Sequence, residues 1–384
     1  MRTVLDDALD VATQTLPGVV ACLTSPTQVL YEGARGVRST GDGREMTVDT
    51  IFALASMTKP LVSVAVMQLV ERGALALDQP LNAVLPQLAN RSVLEGIDGG
   101  GMPILRPARG TVTVRQLLSH TSGYGYAFWN EDLCRLQDER GTGVVPSSWE
   151  ELEATPLLFD PGTAWAYGIG TDVLGKVIEA VSGLALDEYL EANVLGPMGM
   201  RDTTITLTDE QRTRAATIHV RGSSGALEPL DDPIDGDRRF AMGGGSLCGT
   251  GPDYVRFLRM LLGRGTLDGE RILEPASVSA MAADQLGTIP VTTLRTAMPD
   301  VSNDVDLLPG IPLTWGLGFQ INTAPTPAGR CGGSLAWAGL FNTYFWVDHA
   351  WRVGGLVLTQ LLPFADAKAL ELLDTFERAA YAPR

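Results

Sequence analysis

Strand-forming patterns lie at the two ends of this 384-residue chain and are largely absent from its middle. Such a chain has to bring its ends together to build a sheet and leave its middle as a helical insertion. Near the amino terminus, Val4, Leu5, Ala8, Leu9 and Ala12 recur as one face of a helix over 2–14, which Pro17-Gly18 ends. GVVACLT (18–24) and QVLYEGA (28–34) read as strands with Ser25-Pro26 turning between them. LVSVAVMQLVERG (61–73) is apolar on nearly every face, which predicts a helix buried in the middle of the protein and stopped at Gly73. From about 75 to 215 the pattern is helices and loops, with helices expected at 113–123 and 171–183. Strand patterns return as a hairpin at 217–230 and at 334–348 and 352–362. Thr250-Gly251-Pro252-Asp253 opens a helix through Leu262, 284–312 reads as irregular loop, and a last helix covers 366–380. The expectation is an α/β domain from residues 1–62 and 216–384, a helical domain from 63–215, and an active site at their interface.

Charge narrows the function. Lys plus Arg number 29 against 45 Asp plus Glu, a net charge of −16, so neither a nucleic acid nor an anionic membrane surface is an expected partner. Asp6, Asp7 and Asp10 interrupt the start of the chain where a secretory signal needs an apolar run, which makes the cytoplasm the expected compartment. Cys22, Cys134, Cys248 and Cys331 lie far apart, and His120, His219 and His349 are the only histidines. No metal site and no cofactor are expected from them.

Only three of the 29 basic residues are lysines, and one of them, Lys59, follows Ser56 by three positions. On a helix that spacing puts both side chains on one face, where an amine can take the serine proton. Arg could not replace it, because guanidinium stays charged. Pro60 is tolerated only in a first turn, which places Ser56 at or just before the helix amino end, where partial positive charge stabilises an alkoxide. Tyr167 lies in a Gly/Pro loop ahead of an amphipathic helix, either aimed into a cleft or buried in the core. Trp337-Ala338-Gly339 falls in a strand pattern, where the glycine would let a substrate approach the backbone. Tyr126 and Trp129, in the loop after SHTSG, either line an acyl pocket or pack in the core. His120 reads as structural, and Gly243-Gly244-Gly245-Ser246 as a tight turn, since no Gly-Lys-Ser/Thr follows it. A G-x-S-x-G elbow is absent, which removes the main reason to expect an α/β-hydrolase.

SMTKP, PARGTVTVRQLLSHTSG (107–123), PGTAWAYGIGTDVLGKVIEAVSG (161–183), GGGSLCGTGPDYVRF (243–257) and SLAWAG occur in the order and spacing of one family. Over nearly its whole length the sequence resembles the serine β-lactamase and penicillin-binding-protein-like superfamily, and within it the class C β-lactamase-like family VIII carboxylesterases. The resemblance implies an α+β, β-lactamase-like fold, in which helices from both termini flank an antiparallel sheet beside a mostly helical second domain. It also implies Ser56 as the acylated nucleophile, Lys59 and Tyr167 as its acid/base partners, and Trp337, Ala338 and Gly339 as the third motif. The backbone N–H groups of Ser56 and Leu340 would form the oxyanion hole. Two departures bear on substrate. The β-lactamase Y-x-N motif reads Tyr167-Gly168-Ile169, and the third motif opens with Trp337 where β-lactamases carry Lys. Both losses favour neutral esters, unless Arg330 supplies the missing cation. The expected function is hydrolysis of short-chain carboxylic esters through an acyl-enzyme. The rivals are a β-lactamase, peptidase, amidase or acyltransferase of the same superfamily, and a non-catalytic binding module.

Overall fold

Largely apolar runs build the middle of the sheet because both of its faces are covered. The computed structural model describes residues 2–230, 234 and 240–382. Its main sheet has seven strands: β1 (Gly18–Thr24), β2 (Val29–Gly36), β3 (Leu313–Trp315), β4 (Gln320–Asn322), β5 (Ser334–Gly339), β6 (Thr343–Asp348) and β7 (Val353–Leu358), in the order β3-β4-β5-β6-β7-β1-β2. All neighbours are antiparallel. β1 pairs with β7 on one side and β2 on the other, so the two ends of the chain meet in the sheet.

Every residue of β1, β5, β6 and β7 is buried, the signature of strands with packed layers above and below. Helix α1 (Arg2–Ala12) packs on β2, α2 (Thr58–Glu71) and α3 (Gly170–Ser182) pack on each other, α4 (Gly251–Leu262) lies against β1, β6 and β7, and α5 (Ala367–Tyr381) packs on α1. Successive strand side chains point to opposite faces, and β6 uses this directly. Phe345 meets Tyr254 of α4 at 5.3 Å between ring centres, while Trp346 meets Phe376 of α5 at 6.2 Å. The terminal helices thus cover one face and α4 the other.

Three segments depart from the sequence reading. Ser92–Ile97 and Pro103–Pro107 form a hairpin inside the stretch expected to lack strands. Its turn is organised by Asp98, whose Oδ1 accepts from Gly100 and Met102 N–H at 2.8 Å each. The hairpin is short, and half-buried or exposed except at Val93 and Leu94, so it carries no long apolar run. The pattern over 352–362 breaks after Leu358, and Leu361–Leu362 pairs in parallel with His219–Val220, one strand of the expected 217–230 hairpin. The pattern over 334–348 is two strands turned at Asn342, whose φ of 58° lies in the left-handed region. α2 is buried from Thr58 through Leu69 and begins with Pro60 in its first turn, as the sequence requires.

Candidate active site

Ser56 lies on a single 3₁₀ turn, Ala55–Met57, that leads into α2. The turn is pinned from several sides. Met57 N–H donates to the Leu54 carbonyl at 3.0 Å, and the Met57 carbonyl accepts from the Tyr254 hydroxyl at 3.1 Å. Leu54 N–H donates to the Leu247 carbonyl at 2.9 Å. Ala55 has φ 45°, a strained value for a residue with a side chain, directly before the serine. β5 runs alongside this turn. A Cβ on Gly339 would lie 2.3 Å from the Leu54 carbonyl oxygen and 2.3 Å from Thr343 Oγ1. The missing side chain of Gly339 makes room for the protein's own Leu54 carbonyl, and Gly339 also lines the cavity next to Ser56.

Lys59 is 1 % exposed, and its Nζ is 3.1 Å from Ser56 Oγ, 2.9 Å from Tyr126 Oη and 2.7 Å from the Gly244 carbonyl oxygen. Burial pushes its ammonium down to about 8, against the pull of the Asp172 carboxylate upward. Tyr167 is also buried. Its phenol accepts from Trp337 Nε1 at 2.7 Å and shares a hydrogen bond with Ser56, yet burial outweighs both and raises its pKa well above the usual phenol value. The Tyr167 loop is clamped from outside: a Cβ on Gly168 would lie 2.3 Å from the Tyr124 carbonyl oxygen. His120 stacks on Tyr167 at 4.5 Å, accepts from Gly168 N–H at 3.4 Å, and is held neutral by its burial and by Lys59. The structure therefore gives His120 the supporting place the sequence suggested.

Ser56, Tyr167, Trp337, Ala338, Gly339 and Leu340 all line one cavity of about 430 Å³, together with Tyr126 and Trp129. The sequence left Tyr126 and Trp129 between pocket and core. Tyr126 is nearly buried and touches Lys59, while Trp129 forms part of the wall and donates from Nε1 to Ser302 Oγ at 3.1 Å. The remaining wall is mostly apolar, with Phe128, Ile218, Met242, Phe341 and Phe364. Among the described residues that line it there is no Lys or Arg. Arg330, the other cation considered for the cleft, is buried elsewhere, paired with Glu377 of α5 and stacked on Trp346 at 5.4 Å. Two participants escaped the sequence reading. Asp172 was legible only as an acid in the first turn of a helix, and Gly244 only as part of a turn. The turn is there, and its carbonyl is a Lys59 acceptor.

An antiparallel sheet with a Ser-x-x-Lys helix whose leading turn packs on the inner strand β5, and an apolar cleft beside them, defines the serine hydrolases and acyltransferases of β-lactamase-like fold. The Beta-lactamase family matches residues 5–377, and the chain belongs to that family. It is 33% identical over 369 residues to monacolin J acid methylbutanoyltransferase of Aspergillus terreus, covering 91% of this chain and 87% of that protein. Lovastatin esterase of Penicillium rubens is 30% identical over 395 residues, with 99% and 98% covered. The solved structure of a simvastatin synthase mutant from Aspergillus terreus superposes with a TM-score of 0.84 at 31% identity, over 99% of this chain and 95% of that one.

Proposed function

We propose that this enzyme is a carboxylesterase of the family VIII type, hydrolysing short-chain neutral esters through an acyl-enzyme on Ser56. The observation that carries the reading is the Lys59 amine 3.1 Å from Ser56 Oγ, buried behind the serine that lines an apolar cleft. That distance is within reach for proton transfer. With its pKa lowered to about 8, Lys59 is neutral in roughly a tenth of molecules at pH 7. Burial raises the pKa of the Tyr167 phenol and so disfavours a phenolate, which supports Lys59 as the base and Tyr167 as the acid.

Lys59 takes the Ser56 proton as Oγ attacks the ester carbonyl carbon. The carbonyl electrons move onto oxygen, which the N–H groups of Ser56 and Leu340 stabilise. Collapse re-forms the carbonyl and breaks the bond to the alkoxide, which takes the Tyr167 proton while the phenol receives the proton held by Lys59. Water then attacks the acyl-enzyme by the same steps and releases the acid. An apolar alcohol in place of water would make the enzyme an acyltransferase. The aromatic cavity wall and the likeness to the methylbutanoyltransferase favour this second reading of the same acyl-enzyme.

A series of p-nitrophenyl esters of increasing chain length, run beside a chromogenic cephalosporin and with a graded alcohol added, tests the proposal. Faster turnover of the short esters is expected, because a carboxylate entering this cleft would lose water without gaining a cation. Preference for the cephalosporin would overturn it. Transfer to the alcohol outrunning hydrolysis would select the second reading.

A further inference from the structure

We propose that Asp172 is the positioning residue for Lys59, aiming the amine at Ser56 through the Tyr126 hydroxyl and the backbone of Gly244. The inference rests on the reading in which Lys59 takes the Ser56 proton. Asp172 stands in the first turn of α3 and is 1 % exposed, with both oxygens engaged. Its Oδ2 accepts from Tyr126 Oη at 2.7 Å, and its Oδ1 accepts from Gly244 N–H at 2.9 Å. The same Tyr126 hydroxyl accepts from Lys59 at 2.9 Å, and the carbonyl of the same residue, Gly244, accepts from it at 2.7 Å. The fit is close enough to dictate sequence: a Cβ on Gly244 would lie 2.1 Å from Asp172 Oδ2.

The direction of the hydrogen bonds gives this arrangement its use. A carboxylate only accepts, so it fixes the Tyr126 proton on itself and leaves the phenol oxygen free to accept from Lys59. A neutral amine has two protons and one lone pair. With Tyr126 Oη and the Gly244 carbonyl taking the protons, the lone pair is left facing Ser56 Oγ. Asp172 is also the charge that acts on Lys59. The other titratable groups facing the amine are Tyr126 and Tyr167, whose rings lie 5.0 Å and 4.9 Å from Nζ, and the neutral His120. The third position of the second motif is Ile169, which has no polar atom to offer, and the lysine's partner comes from one helical turn further on.

The test measures kcat and KM for p-nitrophenyl butyrate across roughly pH 5 to 10, in wild type, Asp172→Asn, Tyr126→Phe and the double variant. Each is normalised by fluorophosphonate titration of Ser56. An asparagine amide donates toward Tyr126 and turns its proton back on Lys59. Asp172→Asn should therefore lower kcat about tenfold or more with KM within about twofold. The acid limb of kcat/KM should move to lower pH, because burial then acts on Lys59 without a counter-charge. Tyr126→Phe removes an acceptor of Lys59 but leaves the Asp172 charge in place, so it should lower kcat with KM little changed and the acid limb near its wild-type position. The double variant should have a kcat no lower than the lower single, since both lie on one path. An acid limb at the wild-type position in an active Asp172→Asn enzyme overturns the inference, as do single effects that multiply. If Asp172→Asn does not fold, Tyr126→Phe decides alone by kcat: a wild-type kcat in the folded variant overturns the inference. Wild type lacking Ser56-dependent turnover would instead overturn the acyl-enzyme reading beneath it.

Discussion

A lysine buried to 1 % exposure costs stability unless its amine can shed its charge, and Lys59 is placed so that it does so near neutral pH. Burial lowers its pKa and Asp172 holds it from falling further. Since the neutral form is the base, kcat/KM should rise with pH through about 8 and level off above it. A profile flat across that range would separate Lys59 from the chemistry. Arginine keeps the charge and cannot supply a neutral amine. Lys59→Arg should therefore fold and lose activity by about 10² or more, checked by steady-state kinetics on protein with an unchanged circular dichroism spectrum. The pair Ser56 and Lys59 was legible in the sequence because a three-residue spacing at a helix start has one geometric meaning. Asp172 was not, because an acid in a first helical turn ordinarily complements the helix dipole, and only the fold shows its carboxylate turned inward onto Tyr126.

At the scale of elements, the turn bearing Ser56 and the end of β5 hold each other. Gly339 leaves 2.3 Å between an added Cβ and the Leu54 carbonyl, on backbone atoms that cannot swing aside. Gly339→Ala should push strand and turn apart, destabilise the fold by about 1–3 kcal/mol, and lower kcat because Ser56 and Leu340 no longer line up. A thermal melt with kinetics at reduced temperature checks it; an unaltered Tm and rate would show that the contact is slack. The long buried elements were readable, since α2 is apolar on nearly every face from Leu61 to Val70, broken only by Ser63 and Gln68, and β1, β5 and β6 are largely apolar runs. The hairpin at 92–107 was missed because its strands are short, only Val93 and Leu94 are fully buried, and the second strand carries Arg and Pro. The shift of the chain after Leu358 into a second sheet falls at Thr359-Gln360, a two-residue polar interruption too short to read as a strand end in an otherwise apolar segment.

Across the whole molecule, the sheet unites the two ends of the chain, and α5 is locked onto it by the buried pair of Arg330 and Glu377. Breaking such a pair strands a charge in the interior at a cost of about 3–5 kcal/mol. Arg330→Ala should thus lower Tm markedly while leaving the ratio of ester to cephalosporin turnover unchanged, because Arg330 lies outside the cleft. A changed ratio would place it in substrate binding. No helix among the described residues is long and apolar enough to cross a membrane. The shared architecture and the family match account for a serine enzyme of this fold, and the central claim is that its acyl-enzyme forms on Ser56. The direct measurement is to quench the protein during turnover of p-nitrophenyl butyrate and map the acylated peptide by mass spectrometry. A butyryl group on Ser56, absent from Ser56→Ala together with about 10³- to 10⁶-fold of kcat, is the predicted result. An adduct on another residue, or turnover that survives Ser56→Ala, would contradict it.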